Sequence, residues 1–363
     1  MPALSKTPPA RLMNAIGRVR AGLGFLRRSA VPPNVALLEL AQGAWVTQAL
    51  YAAVKLRLAD ELADGPLSAD ELARRANSDA GATYRVMRAL AGQGVFTLRR
   101  DGRFALTRMG RMLRSDVDGS MAPMIAMVGS TEHWQHWSDL LYSVRTGRTA
   151  VQKQRGAEIF EYLETNPEYA AIFNDAMTGV SAMAIEAAVP AYDFTDRRLI
   201  VDVGGGHGAL LVAVLKAAPS ADGMLFDLPS VADGGRSAVQ ASGLAQRCTV
   251  EGGSFFDSVP AGGDTYLMKT VIHDWDDEKA LAILRNVRAA IADDGRLLLF
   301  ELVLPEGAPP HPGLLLDLEM LVHAGGRERT GAEYAKLLSQ AGFRQTRVIA
   351  TTGPMSIVEA VPA

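Results

Sequence analysis

The sequence lacks several features that would place it in a specialised class. It has one cysteine, Cys248, which excludes an intrachain disulfide and a cluster of thiolate metal ligands and favours a reduced, cytoplasmic setting. No apolar run reaches the roughly 20 residues that span a bilayer, so we expect no membrane association. A charge excess is also missing: 37 basic and 40 acidic residues give a net charge of −3, which provides no overall attraction to nucleic acid.

What is present is typical of a globular protein with more than one structural unit. Apolar residues make up 48% and charged residues 21% of the chain, which excludes a disordered or collagen-like protein. Its 363 residues exceed the about 100–200 usual for one domain.

The N-terminal segment 1–34 is basic. Its first 30 residues hold six basic side chains and no acidic one. We interpret them as a basic N-terminal arm rather than the transit peptide that they superficially resemble. Further segments are predicted at 35–115, 116–195 and 196–363.

The segment 35–115 has the outline of a winged helix. Apolar residues recur at three- and four-residue spacing in its first part, which predicts helices. Ser68 and Glu71 form a capping-box pattern that starts a helix over 69–76, and a second helix is predicted over 80–93. Strands at 95–98 and 103–107 then form a hairpin. The segment 116–195 is predicted to be helical.

The pattern changes after Asp196. Short apolar runs alternate with helical stretches such as 210–218, which predicts an α/β fold with a mostly parallel, doubly wound, Rossmann-like sheet. The last two strands are separated by little more than Gly353 and Pro354. A parallel crossover needs about a dozen residues, so these two strands are predicted to form an antiparallel hairpin. The seven strands are predicted at 199–203, 223–226, 249–252, 265–269, 296–302, 346–351 and 355–361.

A glycine-rich loop follows the first of these strands and starts a helix. Gly204, Gly205, Gly206 and Gly208 let the backbone turn sharply and lie against a ligand that the helix amides face. Asp227 ends the next strand about 20 residues later, where a carboxylate can accept hydrogen bonds from both ribose hydroxyls. These features together favour a nucleotide-type ligand over a structural turn with a helix-capping aspartate. The loop itself fits both Gly-x-Gly-x-Gly and the Gly-x-Gly-x-x-Ala variant of a dinucleotide fingerprint.

Two features argue against a nicotinamide dinucleotide as this ligand. The C-terminal hairpin takes the place of a second parallel half, and no second phosphate loop follows Gly204. The adenosyl group of S-adenosylmethionine (SAM) needs only one site and has no pyrophosphate. Asp202, just before the loop, would suit the cationic methionine end of SAM, because a carboxylate pairs well with an ammonium group. A nicotinamide-dependent oxidoreductase is the alternative enzyme.

A histidine at the end of another strand is the candidate for chemistry. His273 lies just past the strand at 265–269, and open α/β sheets bind ligands at the carboxyl ends of their strands. An imidazole with a pKa of about 6.5 can accept a proton at neutral pH. A phenol, with a pKa of about 10, attacks poorly until its proton is removed. Asp274, Asp276 and Asp277 are explained by the start of a helix, with Asp274 as its cap, whereas His273 is not.

These stretches resemble the SAM-dependent O-methyltransferase family that includes plant caffeic acid O-methyltransferase, acetylserotonin O-methyltransferase and bacterial polyketide O-methyltransferases. The resemblance covers about residue 35 to the C-terminus and is carried by the stretches at 201–208, 226–229, 267–277 and 325–330. It implies a class I methyltransferase sheet that binds SAM at 196–363 and a winged-helix-like dimerisation domain at 35–115. The segment 116–195 becomes a helical linker that helps to form the acceptor pocket. A homodimer is also implied.

For the cofactor, the resemblance implies that the four glycines contact the methionine part of SAM. Asp227 would bind the ribose, and Leu228 and Lys269 would lie near the adenine. Many relatives have an aspartate after Gly-Gly that binds the adenine, whereas this chain has Ser254, followed by Phe255. A serine can still accept a hydrogen bond, but we expect a weaker contact.

For catalysis, the resemblance implies His273 as the general base, oriented by Glu301 or Glu328. For the acceptor, it implies Phe173 and Met177, which are four residues apart on one helical face. Phe160 and Asp274 complete the set of substrate-binding candidates. An ordinary core would also explain the apolar members of this set.

Two other patterns have functional alternatives. His133 and His136 could hold a metal, but no further ligand completes a convincing set, so we expect a helix face and no metal. Residues 70–114 contain ten arginines against four acids, which on a winged helix could bind DNA. A DNA-binding regulator on a degenerate enzyme is therefore a second alternative, although a solvated face explains the arginines and no nucleic acid is expected.

The sequence thus predicts an enzyme that transfers a methyl group from SAM to a hydroxyl of a small aromatic or polyketide-like acceptor. His273 would remove the proton, and the protein would align the reacting atoms.

Overall fold

The structure, a computed structural model, describes residues 19, 22–26, 29–307 and 309–363. Most of the predicted basic arm at 1–34 therefore lies outside the described residues. The chain forms two compact units. The N-terminal unit contains Arg20–Asp139 and Phe160–Ala182, and the C-terminal unit contains Leu140–Ile159 and Met183–Ala363.

The first part of the chain is helical apart from one hairpin. Its elements in chain order are α1 (Pro33–Ala41), α2 (Gly43–Lys55), α3 (Leu58–Glu61), α4 (Ala69–Arg75), α5 (Ala80–Gly92), β1 (Phe96–Leu98), β2 (Phe104–Leu106), α6 (Arg108–Arg111), α7 (Ala122–Val128), α8 (Thr131–Ser138), α9 (Leu140–Thr146), α10 (Ala150–Arg155), α11 (Ile159–Thr165) and α12 (Pro167–Ala188).

The predicted winged-helix outline of α4, α5 and the β1–β2 hairpin is confirmed. Ser68 caps α4: its hydroxyl accepts a hydrogen bond from the Glu71 N–H at 3.2 Å, and the Glu71 carboxylate accepts one from the Ser68 N–H at 2.7 Å. β1 and β2 pair antiparallel. The core of this unit is formed by buried side chains from all of these elements, among them Leu58, Leu72, Met87, Leu90, Phe96 and Phe104.

One part of the N-terminal unit is apolar and exposed. Leu37, Leu38 and Leu40 on α1 and Trp45 on α2 each expose more than half of their surface. A contiguous apolar surface in water is unfavourable, and it usually marks a place that another molecule covers.

The C-terminal unit is built on a seven-stranded sheet. The strand order is β5-β4-β3-β6-β7-β9-β8; the first five strands run parallel, and β9 is antiparallel to both β7 and β8. The predicted Rossmann-like sheet with its C-terminal hairpin is confirmed. The elements are β3 (Leu199–Val203), α13 (Ala209–Ala217), β4 (Asp222–Asp227), α14 (Pro229–Ala241), β5 (Cys248–Gly252), β6 (Thr265–Lys269), α15 (Asp277–Ala290), β7 (Arg296–Glu301), α16 (Gly313–Val322), α17 (Gly331–Gln340), β8 (Phe343–Ala350) and β9 (Ser356–Pro362).

Helices explain why the central strands are apolar on both sides. Side chains of α13 join one buried cluster on the sheet, and side chains of α15 and α17 join another. Cys248 is buried at the start of β5, and burial raises the pKa of its thiol to about 11, which argues against a reactive thiolate. In the part of the chain that the structure describes, no helix is both long and apolar enough to cross a membrane.

Candidate active site

The strand order reverses between β3 and β6, the point at which open α/β sheets bind ligands. The glycine loop leaves the carboxyl end of β3, and Asp227 and Glu301 are the last residues of β4 and β7. His273 follows β6 by four residues. Because parallel strands end at the same edge of a sheet, the predicted cofactor-binding and catalytic residues of this unit lie along one edge.

The glycine loop is tightly packed on one side and open on the other. Gly204 and Gly206 have φ angles of +66° and +59°, a region that favours glycine. A Cβ on Gly205 would lie 2.5 Å from Leu225 Cδ1 and 2.7 Å from Asp202 Oδ2, whereas a Cβ on Gly206 would meet nothing within 4 Å. The loop therefore leaves free space beside Gly206 for a ligand.

Asp227 is fixed by the loop rather than used as a helix cap. One carboxylate oxygen accepts a hydrogen bond from the Gly206 N–H at 2.7 Å, and the other accepts one from the Leu228 N–H at 2.7 Å. Burial raises the pKa of Asp227 in spite of these bonds. The N-cap of α14 is Leu228, whose side chain makes no capping bond, so the helix-capping explanation of Asp227 is wrong.

Asp202 is a buried carboxylate beside the same loop. It is 1% exposed, and neither of its oxygens has a hydrogen-bond partner among the described residues. Burial raises the pKa of Asp202 to about 7, although the positive charge of Lys269 acts to lower it. A buried acid without a partner is unfavourable, so this position suits a ligand that brings a positive charge or a donor.

The packing at Gly205 gives a stability prediction. Gly205→Ala is expected to lower the free energy of unfolding by about 1–3 kcal/mol, because the new methyl group would overlap Leu225 and Asp202. Chemical denaturation of the intact chain measures the change. Gly331→Ala is the control: its Cβ would meet only ordinary contacts at 3.6 Å or more, so stability should be unchanged or slightly higher. Equal losses in both variants would contradict the prediction.

His273 sits in a single helical turn, Ile272–Asp274, and is 6% exposed. Its Nδ1 lies 2.7 Å from a Glu328 oxygen but 3.9 Å from Glu301, and its Nε2 lies 3.5 Å from Asp274. Glu301 instead accepts a hydrogen bond from the Ile272 N–H at 3.0 Å. Both predicted glutamates thus reach this turn: Glu328 binds the ring and Glu301 binds the backbone next to it.

Three carboxylates around one imidazole set its affinity for protons. Burial disfavours the imidazolium, but the negative charges of Asp274, Glu301 and Glu328 outweigh burial and raise the pKa of His273 to about 10. Burial also raises the pKa of Asp274 to about 6 and that of Glu301 to about 7. If Nδ1 carries the proton that binds Glu328, Nε2 is the ring atom left to exchange a proton.

The loop before α17 passes directly behind the His273 backbone. A Cβ on Gly326 would overlap the His273 carbonyl, so only glycine allows this approach. The Arg327 N–H donates to that carbonyl at 2.9 Å, and the Glu328 N–H donates to Asp317 at 2.8 Å. In this segment the sequence predicts a role for Glu328 alone, whereas the structure shows that Gly326 and Arg329 also contact the backbone around His273. The consecutive glycines 325 and 326 before a run of charged residues were the available signal.

The other cofactor-binding candidates lie in loops next to these residues. The Ser254 hydroxyl accepts a hydrogen bond from the Phe256 N–H at 3.2 Å, so it is used within its own loop. The Phe255 ring packs near Gly204, at 3.5 Å from where a Cβ would lie. Lys269 donates to the Thr270 hydroxyl at 3.2 Å. Burial lowers the pKa of Lys269, although the negative charges of nearby acids act to raise it. Their contacts with an adenine stay predictions.

The structure places the acceptor candidates in different units. Phe160, Phe173 and Met177 belong to the N-terminal unit, where Phe173 and Met177 are half-buried on α12. Their role in an acceptor pocket stays a prediction. Asp274 lies beside His273 in the C-terminal unit and does not cap the next helix. The cap of α15 is Asp276, which accepts from the Lys279 N–H at 2.8 Å, so the predicted capping role of Asp274 is wrong.

The histidine pair of α8 is part of the packing of the N-terminal unit. His133 and His136 are both buried. The His136 ring packs edge-on against Tyr162 and Tyr169, with ring centroids 6.2 Å apart in each case. The pair therefore lies on a buried face of α8.

Comparison with known proteins decides the family. A sequence profile described as an O-methyltransferase domain matches residues 137–344, and one described as an O-methyltransferase dimerisation domain matches residues 38–116. The chain belongs to the O-methyltransferase family. The predicted SAM-dependent methyltransferase with an N-terminal dimerisation domain is confirmed by these matches and by related structures that contain SAM or its product S-adenosylhomocysteine.

Three relatives illustrate the similarity of this methyltransferase to known proteins. Phenazine O-methyltransferase PhzM of Lysobacter antibioticus is 44% identical over 93% of this chain and 98% of its own length. O-Demethylpuromycin-O-methyltransferase of Streptomyces alboniger is 40% identical over 90% of this chain and 88% of its own. The crystal structure of NcsB1, an O-methyltransferase from neocarzinostatin biosynthesis, contains SAM and 2-hydroxy-5-methyl naphthoic acid. It matches with a TM-score of 0.75 and 34% identity, over 87% of this chain and 96% of that one.

Proposed function

We propose that this methyltransferase transfers the methyl group of SAM to a hydroxyl group of a small aromatic acceptor, with His273 as the general base. The observation that carries the proposal is the buried imidazole, whose Nδ1 is held by Glu328 at 2.7 Å so that Nε2 is left to take a proton. The aromatic compounds named for the phenazine enzyme and for NcsB1 support the class of acceptor.

The residues at the glycine loop fit SAM. The space beside Gly206 and the fixed carboxylate of Asp227 suit a nucleoside, and the unpartnered carboxylate of Asp202 suits a cationic group. We assign the loop glycines and Asp202 to the methionine part and Asp227 to the ribose. When bound, SAM supplies an electrophilic methyl group on a positively charged sulfonium.

His273 prepares the acceptor for attack. Nε2 takes the proton of the acceptor hydroxyl and frees an oxygen lone pair. That lone pair would accept the methyl group supplied by SAM, and the carbon–sulfur bond would break with its electron pair left on sulfur. A phenol has a pKa of about 10, and the neighbouring carboxylates raise the pKa of His273, so the neutral imidazole binds the phenol proton more strongly than a free imidazole would. Glu328 stabilises the imidazolium through Nδ1, and the imidazolium then releases its proton to solvent. The acceptor has exchanged one proton for one methyl group.

A transfer assay tests the proposal. The intact chain is incubated with methyl-labelled SAM and a panel of phenols, flavonoid-like and polyketide-like hydroxyl compounds, together with matched anilines. We expect label in an aryl methyl ether, with one S-adenosylhomocysteine formed for each ether. Label found only on nitrogen would contradict the hydroxyl acceptor. Calorimetry with tight NAD binding and no SAM binding would contradict the cofactor.

We also infer that the protein is a homodimer that covers the exposed apolar residues of α1 and α2. Leu37, Leu38, Leu40 and Trp45 lie within or next to the matched dimerisation domain at 38–116. Covering such side chains contributes about 25 cal/mol per Å² of apolar surface removed from water.

The dimer gives a further prediction. Wild-type protein is expected to sediment at twice the chain mass of 38.7 kDa. Leu37→Glu combined with Leu40→Glu should shift it to the mass of one chain, because two carboxylates would be buried without partners. The control Val348→Glu, on the exposed part of β8, should stay dimeric. A double variant that stays dimeric would show that these residues are outside the interface.

A further inference from the structure

Arg329 is the largest fully buried side chain among the described residues, with 1% of its surface exposed. A buried guanidinium is unfavourable unless its N–H groups are paired. Nε and Nη2 donate to one oxygen of Asp277 at 3.1 and 2.7 Å. Nη1 donates to the Ile272 carbonyl at 3.1 Å, and Nη2 donates to the Trp275 carbonyl at 3.0 Å. Arg329 therefore holds three points of the segment that contains His273.

These contacts fix the geometry of the segment more than they balance charge. Nη1 also donates to the Arg327 carbonyl at 3.3 Å. Asp277 is the one carboxylate among these four acceptors, and its side chain is 58% exposed, so solvent screens that ion pair. The carbonyls of Ile272 and Trp275 lie on either side of His273 in the chain. A planar guanidinium sets the spacing between its acceptors, which a flexible lysine ammonium does not.

The neighbours of Arg329 hold the same histidine. Glu328 binds the imidazole at 2.7 Å, Arg327 donates to the His273 carbonyl at 2.9 Å, and Gly326 allows the close approach. One short segment thus holds the ring of His273 and the backbone on both sides of it. A displacement of about 1 Å at a reacting group can lower a rate about 10²-fold.

We propose that Arg329 is a positioning residue for methyl transfer: it fixes the backbone on both sides of His273 and thereby places the imidazole for proton removal. The proposal rests on the proposed function, in which His273 is the base.

The test is Arg329→Lys in the full-length protein. We expect kcat for a phenolic acceptor to fall about 10²-fold while the KM for SAM stays within about threefold, because the glycine loop does not touch Arg329. The rising limb of kcat against pH should also move to lower pH. A displaced backbone weakens the contact with Glu328, which together with Asp274 and Glu301 raises the pKa of His273.

Arg247→Lys is the matched control. Arg247 also donates to three backbone carbonyls, those of Leu215, Ala218 and Ala221, but at the end of α13. Its replacement should lower the melting temperature, as Arg329→Lys does, with kcat and the pH profile unchanged. If Arg329→Lys does not fold, Asp277→Ala decides instead. This change removes the exposed carboxylate that accepts hydrogen bonds from Nε and Nη2 of Arg329. We expect kcat to fall about fivefold with the same shift in the pH profile.

Three results separate the possibilities. A folded Arg329→Lys, or Asp277→Ala in its place, with wild-type kcat and pH profile would overturn the positioning role. If a His273 variant is inactive at the same time, the proposed function still stands. Full activity of a His273 variant would overturn the proposed function itself, and the positioning role with it.

Discussion

Replacing His273 by asparagine is expected to slow methyl transfer to a phenol by about 10²–10⁴-fold, the usual contribution of a positioned general base. Asparagine can still donate to Glu328, but it has no atom that takes a proton at the position of Nε2. SAM affinity should be nearly unchanged, because the glycine loop and Asp227 lie on other strands. Single-turnover kinetics with labelled SAM, together with calorimetry of SAM binding, measure the two effects separately.

His323→Asn is the matched control for this substitution. His323 is also buried and also lies close to a glutamate, with Nδ1 2.9 Å from Glu319. Its replacement should leave the transfer rate within about threefold of wild type. A His273→Asn enzyme with full activity would show that the base is another group. An equal loss in both variants would point to a general effect of removing a buried histidine.

Glu328→Gln is expected to lower kcat about 10²-fold, because the carboxylate that orients the ring and stabilises the imidazolium is lost. Glu301→Gln should have a smaller effect of about tenfold or less, since an amide oxygen can still accept the hydrogen bond of the Ile272 N–H. Measuring kcat for both variants with one acceptor checks the order. A larger loss for Glu301→Gln would assign the orienting role to Glu301.

The pH dependence of Glu328→Gln follows from the raised pKa of His273. In the folded protein this pKa lies at about 10 instead of 6.5, so the interactions of the imidazolium contribute stability that is fully present below about pH 6.5. That stability is lost as the pH rises through about 10. Removing the charge of Glu328 lowers the pKa of His273, so the loss of stability should be larger at pH 6 than at pH 10.

Glu328→Gln should also move the rising limb of the plot of kcat against pH to lower pH, by at least about one pH unit. Denaturation at several pH values and a pH–rate profile check the two parts. A limb that stays in place would show that Glu328 does not set the proton affinity of the base.

Several features could be predicted from the sequence because they depend on residues close together in the chain. The capping box of Ser68 and Glu71 and the short link at Gly353-Pro354 are set by local backbone chemistry, and both are present in the structure. The glycine loop and Asp227 are separated by one helix, and parallel strands bring their ends to one edge. The edge of the sheet at which the glycine loop and Asp227 lie could therefore be predicted from the sequence alone.

Other features required the positions of side chains from distant parts of the chain. His273 and Glu328 are 55 residues apart, and the sequence left both glutamates as candidates. The missing partners of Asp202 also depend on rotamers that packing fixes. No pattern along the chain could have assigned these contacts.

The sequence by itself determined the fold class and the edge of the sheet at which the glycine loop and His273 lie, and it named His273 as the candidate base. The fold class and this edge follow from hydrophobic periodicity and glycine spacing, which are properties of short segments, and the base role follows from the resemblance to the family. The tertiary structure decided how the base is held: Glu328 on the ring, Glu301 on the backbone, and Arg329 across the carbonyls of Ile272 and Trp275. Such contacts join segments that meet only after folding, and their angles are set by the packing around them.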